Sequence, residues 1–210
     1  MVPGAVLAAG RSSRMGRSKA LLPFGRAHPL TFLQRVAESM QRAGLEDILI
    51  VGRENDAELI RSVERLSVRT EFIPNVNHER GQLTSIVAAV NAVDHPGVRG
   101  LLIMPVDMPL VRAETFARLL QAFAASPTSI VRPVHCGRHG HPVIFDRSSF
   151  DPLRRADPAV GAKSVLQSQS DRVLNVEIDD EGVLADIDSV EEYVAVFGGP
   201  PESFETGMPS

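Results

Sequence analysis

The chain has 210 residues, 43% of them hydrophobic and 23% charged, a globular balance that excludes fibrous and wholly disordered classes. Its 22 basic and 26 acidic side chains leave a net charge of −4, so no basic excess advertises a nucleic-acid partner. No apolar run approaches the roughly 20 residues of a membrane-spanning helix. The first ten residues lack the build of a secretory signal, and Cys136 is the single cysteine, so the expected setting is reducing and cytoplasmic.

Short apolar runs alternate with stretches of helical period. Residues 5–9 read as a buried strand, followed by a Gly- and Ser-rich loop over 10–18. Thr31-Phe32-Leu33-Gln34 has the form of a capping box. Leu33, Val36, Ala37 and Met40 then share one helical face, and Gly44 stands at its stop. A strand is predicted over 48–51, then a helix through Leu59, Ile60, Val63 and Leu66. A strand follows over 68–73, ended by Pro74. Leu83, Ile86, Val87 and Val90 mark a third helix, residues 101–106 a continuous apolar strand, and Phe116, Leu119, Leu120 and Phe123 a fourth helix. This alternation predicts an α/β fold: a Rossmann-like, doubly wound, mostly parallel sheet.

After Ser126-Pro127 the rhythm changes. Residues 130–134 and 142–145 read as strands of a β-hairpin added to the sheet, joined across 137–140. Strands over 172–178 and 182–187 flank Asp179-Asp180-Glu181, read as a solvated turn, and Ser189 opens a last helix. The expected domain is 1–197, with 198–210 a Gly-, Pro-, Ser- and Glu-rich disordered tail.

The loop after the first strand carries the most chemistry. It leaves the carboxyl end of a buried strand, where open α/β sheets bind ligands. Leu7, Ala8, Ala9 and Gly10 lead into it. Gly10 and Gly16 allow backbone N–H groups to approach a phosphate, and Ser12 and Ser13 add hydroxyls. Arg11, Arg14, Arg17 and Lys19 surround it with positive charge, so polyphosphate is the expected guest. It is not a P-loop, because five residues separate Gly10 from Gly16 and Lys19 comes three later. Nor is it the dinucleotide G-x-G-x-x-G.

Residues 7–19, followed by Leu21-Leu22-Pro23, resemble the signature of the nucleotidyltransferase superfamily of molybdenum cofactor guanylyl- and cytidylyltransferases. Leu-Ala-Ala-Gly, Arg-Met-Gly and Lys-x-Leu-Leu-Pro are similar to the cytidylyltransferase branch. The resemblance spans about residues 4–197.

Asp107, at the end of the 101–106 strand, suits Mg²⁺, which takes one or two carboxylates plus substrate phosphates. Asp186 and Asp188 sit two apart on the predicted strand, so both point to one face. The resemblance implies that Asp107 and the second member of that pair, Asp188, hold the metal. Gly81-Gln82-Leu83-Thr84-Ser85 opens a helix whose N–H groups, with Gln82 and Ser85, suit a base or ribose; simple helix capping explains the same residues. Gln82 and Thr84 depart from the Gly-Met-Ser-Ser-Ser of the cytidylyltransferase branch. Residues 137–143 resemble its Gly-x-x-Gly-His-Pro-Val stretch, which implies that Arg138 and His141 meet the acceptor. A zinc site built from His135, Cys136, His139 and His141 is the rival reading. Lys163 stands where the family has arginine.

The implied function is Mg²⁺-dependent transfer of a nucleoside monophosphate, CMP from CTP first. The acceptor is a phosphorylated pterin, molybdopterin or its molybdenum form, and pyrophosphate is released. Lys19 and Arg14 are the expected catalytic cations. Members often contact the molybdoenzyme apo-protein they serve. Alternatives are guanylyl transfer, transfer to a sugar phosphate, or, from another class, a non-catalytic nucleotide- or pterin-binding carrier.

Overall fold

The structure is a computed structural model and describes residues 1–10, 18–25, 30–127 and 129–201. Among these, eight strands form one sheet. Strands β1 (Gly4–Leu7), β2 (Ile48–Arg53), β3 (Thr70–Asn75) and β4 (Gly100–Pro105) run parallel in the order β3-β2-β1-β4. The chain starts in the middle, winds outward through β2 and β3, then crosses back to pair β4 with the other side of β1. That reversal opens a crevice at the carboxyl ends of β1 and β4.

The register divides each strand's side chains between two layers. Val6 pairs with Ile50 and Met104, while Ala5 pairs with Leu49 and Ile103. The first set packs in a core with α1 (Phe32–Arg42), α2 (Ala57–Glu64) and α4 (Ala113–Ala125). The second packs with α3 (Gln82–Val93), α5 (Phe150–Arg155) and α6 (Lys163–Ser168). The sheet is thus covered on both faces, as the sequence alternation predicts. Each fully buried Leu, Ile or Phe contributes about 1.5–3 kcal/mol over exposure, so these two layers set the scaffold's stability. The capping box at Thr31 forms, with Gln34 N–H on Thr31 Oγ1 and Thr31 N–H on Gln34 Oε1.

Several predicted boundaries shift. Pro74 lies inside β3, which tolerates a residue without N–H because it is the sheet edge. The expected hairpin is rearranged. Strand β5 (Ile130–His135) turns through Cys136 and Gly137, both at positive φ, into the two-residue β6 (Arg138–His139). Strand β7 (Val143–Asp146) instead inserts antiparallel between β4 and β5, and β8 (Val173–Glu177) adds parallel to β5.

Residues 182–187 form no strand. Glu181–Leu184 is a 3-10 turn, and residues 185–188 follow without regular structure. Gly182 lies so close to Leu110 that a Cβ would sit 2.6 Å from its carbonyl group, a packing that a pleated strand with side chains could not make. The acidic turn is also not simply solvated. Asp180 is buried, accepting hydrogen bonds from Arg112 N (3.0 Å), Thr115 Oγ1 (2.6 Å) and Gly182 N (3.1 Å). It therefore ties the 3-10 turn to the start of α4. The last helix, α7 (Val190–Phe197), packs in a third, aromatic cluster with Leu22, Phe32 and Ile187.

Two stability predictions follow from buried carboxylates. Asp180→Ala strands three donors and lowers unfolding free energy by about 3 kcal/mol, read from urea unfolding monitored by far-UV CD; a loss below about 0.5 kcal/mol contradicts the tether. Asp146 is buried, which acts to raise its pKa. Hydrogen bonds from Ser148 and Ser149 and the Arg172 ion pair (2.7 Å) more than offset this and hold it below the ordinary carboxylate value. Its contribution is therefore complete above about pH 4 and lost as pH falls through the lower folded-state pKa. Asp146→Asn should lower stability at pH 7 and flatten the acid limb of the stability–pH curve.

Candidate active site

At the carboxyl ends of β1 and β4 lies a cleft of about 440 Å³. Its floor is the end of β1 and the residues after it: Leu7, Ala8 and Ala9 are buried, and Gly10 is exposed. Arg53, at the end of β2, donates to the carbonyl oxygens of Ala9 (3.3 Å) and Gly10 (2.5 Å). It thereby fixes the backbone where the cationic loop begins. Ser12, Arg14 and Gly16, with Arg11, Ser13 and Arg17, lie outside the described residues.

Lys19 opens a 3-10 turn, Lys19–Leu21, beside this floor. Its Nζ lies 3.0 Å from Asp107 Oδ2 and also pairs with Asp188 Oδ1. Lys19 is 14% exposed, Asp107 24% and Asp188 36%. Burial acts to lower the lysine pKa, but the hydrogen bond to Asp188 and the charge of Asp107 outweigh it and hold the pKa above the ordinary lysine value. The group is an ammonium at neutral pH. Three positions drawn from the beginning, middle and end of the sequence thus meet at one point.

Asp107 is held by backbone as well. It directly follows Val106, whose N–H donates to Leu7 O (3.2 Å), and its own carbonyl accepts from Ile187 N (2.8 Å). Asp188 reaches the site from an irregular segment, not from the predicted strand. Asp186 is exposed and absent from the cleft wall.

The opposite wall comes from the segment entering α3. His78, Glu79, Gly81, Gln82 and Ser85 line it. Gly81, at φ 106°, is the N-cap without a side-chain cap; a β-carbon there would be strained and would sit 3.3 Å from Pro158 O. Asn75, buried at the end of β3, donates to Ser85 Oγ and Thr84 Oγ1 (2.9 Å each) and accepts from Asn77 N. Sequence reading missed Asn75, His78, Glu79 and Arg53. The signal for two of them was present: Asn75 and Arg53 end parallel strands, as Asp107 nearly does.

Arg138 and His141 stand apart from the cleft wall. Arg138 is exposed on β6. His141 is largely buried, which lowers its pKa against the pull of Asp107 and Asp186, and its backbone N–H donates to Val183 O (3.0 Å). The hairpin does not bring the residues of the zinc alternative together; His135 Nδ1 bonds to Ile178 O and His139 Nε2 to Arg132. Among the described residues no group of three or more His, Cys, Asp or Glu side chains is placed to hold a metal.

Residues 4–173 match the MobA-like NTP transferase domain family. The chain belongs to this family. It is 36% identical over 129 residues to a probable molybdenum cofactor guanylyltransferase of Opitutus terrae, an alignment covering 61% of this chain. The chain spans 59% of that relative's length. It is 24% identical over 190 residues to a molybdenum cofactor cytidylyltransferase of Escherichia coli, covering 90% of this chain and 92% of that one. Among solved structures it is similar to Rv0371c of Mycobacterium tuberculosis H37Rv. Identity is 27%, coverage is 94% of this chain and 97% of that one, and the TM-score is 0.72. A manganese complex of that protein aligns at 25% identity and TM-score 0.68, covering 94% and 98%. Among the described residues no helix is long and apolar enough to cross a membrane.

Proposed function

We propose that this protein is a divalent-metal-dependent nucleotidyltransferase that transfers a nucleoside monophosphate to a phosphorylated acceptor of the molybdopterin type. The observation that carries the reading is the meeting of Lys19 with Asp107 and Asp188 in the β1–β4 cleft. Two carboxylates brought to one point beside the Lys19 ammonium form a set of oxygen ligands that a divalent cation can bridge to a polyphosphate. The donors are oxygens only, which suits Mg²⁺, a hard cation that takes one or two carboxylates and completes its shell with substrate phosphates. The manganese complex of Rv0371c supports a divalent ion in this fold. Asp107 and Asp188 would hold Mg²⁺, whose chemistry is to neutralise phosphate charge and polarise the α-phosphate.

The chain's own groups bind, orient and neutralise. The residues at the end of β1 seat the polyphosphate against the backbone of Ala8, Ala9 and Gly10. Lys19 keeps its proton and offers its ammonium to phosphate oxygens as charge develops. Arg14, with Ser12 and Gly16 in the cationic loop, takes the β- and γ-phosphates. Gln82 and Ser85 face the base and ribose, with Asn75 holding Ser85 in place. Arg138 and His141 are assigned to the acceptor. An acceptor phosphate oxygen attacks the α-phosphorus, the α–β bridging bond breaks, and pyrophosphate leaves.

CTP is the proposed donor, supported by Leu7-Ala8-Ala9-Gly10, by Gly140-His141-Pro142-Val143 and by the near full-length cytidylyltransferase match. Guanylyl transfer is the second reading, favoured by the Opitutus terrae relative. A cytoplasmic setting and contact with a molybdoenzyme apo-protein belong to the same proposal.

Lys19→Ala and Asp107→Ala should each lower pyrophosphate release by at least about a hundredfold, the scale of losing one transition-state charge partner, with far-UV CD unchanged. Activity within tenfold of wild type removes the role from that residue. Isothermal titration in Mg²⁺ should show CTP binding more tightly than GTP or UTP; tight GTP with absent CTP binding reverses the donor. Wild type releasing no pyrophosphate with any nucleoside triphosphate and a molybdopterin acceptor leaves the carrier alternative.

A further inference from the structure

We infer that α7 is a positioning element for the cleft, acting through the adjacent residues Glu192 and Tyr193. The inference rests on the transferase reading of the Lys19 site.

The helix opens with a capping box that reaches one residue further than usual. Ser189 Oγ accepts from Glu192 N (3.2 Å), and Glu192 Oε2 accepts from Ser189 N (2.9 Å). The same carboxylate oxygen also accepts from Asp188 N (2.7 Å). Glu192 therefore fixes the backbone of a residue that pairs with Lys19.

Tyr193 grips the other partner. It is fully buried, stacked on Phe32 at 6.1 Å and packed against Phe197 at 4.6 Å. Its hydroxyl donates to Pro23 O (2.9 Å), a contact across 170 positions. Pro23 follows Leu22, whose N–H closes the 3-10 turn on Lys19 O (3.1 Å) and whose side chain lies in the same cluster. Ile187, also in that cluster, carries the N–H that bonds Asp107 O. Two consecutive α7 residues thus hold the lysine-bearing turn and the Asp188 segment to one frame. The family match ends at residue 173, so Glu192 and Tyr193 lie beyond the matched region while the Lys19 turn and Asp107 lie within it. A displacement of about 1 Å in a reacting group can cost about a hundredfold in rate, so a polar grip at this point matters more to turnover than to folding.

The test pairs hydrogen exchange with kinetics. Tyr193→Phe keeps the ring and removes the hydroxyl. We expect faster exchange in residues 18–25 and unchanged exchange in β1–β4. With saturating acceptor, kcat should fall about tenfold while the nucleotide KM stays within about twofold. Glu192→Ala should raise exchange at 186–189 and the half-saturating Mg²⁺ concentration about threefold, and Glu192→Gln, which keeps an acceptor oxygen, should restore much of both. Ser149→Ala, which removes a buried hydroxyl bonded to Asp146 and Gln169, serves as the control. It should lower Tm with kcat unchanged. If Tyr193→Phe leaves either exchange at 18–25 or kcat at the wild-type value, or if Ser149→Ala loses as much kcat at equal Tm loss, the positioning role falls. Absent pyrophosphate release by wild type, with the exchange changes present, would instead overturn the transferase reading.

Discussion

An ammonium held between two carboxylates at the mouth of a sheet is the constraint around which this molecule is organised. Taking three charges partly out of water costs free energy, repaid only when the partners are close and rigidly held. Lys19, Asp107 and Asp188 meet that condition with segments separated by 88 and 169 positions from the lysine. Slack in any one segment would draw its charge away from this shared point. The backbone bonds from Val106 to Leu7 and from Ile187 to Asp107 remove that slack at the sheet edge.

The fold divides the labour. Two apolar layers on either face of the sheet supply the rigid frame, and their strands deliver Gly10, Arg53, Asn75 and Asp107 to one end. The aromatic cluster around Tyr193 is a third, smaller buried unit. Its position under the lysine turn and beside Ile187 gives it a different consequence. Asp180, bonded to α4, and Gly182, packed on Leu110, hold the segment between β8 and Asp188 from the other side. The acidic stretch of the sequence is thus a tether leading to a site residue.

The sequence exposed the scaffold well because burial on both faces of a parallel sheet writes continuous apolar runs, as at 101–106. Helix faces wrote their own period at Phe116, Leu119 and Phe123. The site was legible where chemistry needs unusual residues: Lys19 after a cationic loop, and Asp107 after an apolar strand. It was illegible where tertiary packing decides. Gly182 has no local reason to leave a strand, since the backbone of Leu110 that excludes a side chain there is remote in sequence. Asp180 looks like any surface acid until Thr115 and Arg112 arrive. Asn75 was hidden because Pro74 reads as a strand end, whereas an edge strand runs on through it.

The convergence of Lys19, Asp107 and Asp188 on one bound ion is tested most directly by a crystal structure of the protein with Mg²⁺ and a non-hydrolysable nucleoside triphosphate. The account predicts a single ion touching both carboxylates and the phosphates, with the Lys19 ammonium on a phosphate oxygen. An ion and nucleotide bound elsewhere on the protein, with Lys19 still paired to both aspartates, would contradict it.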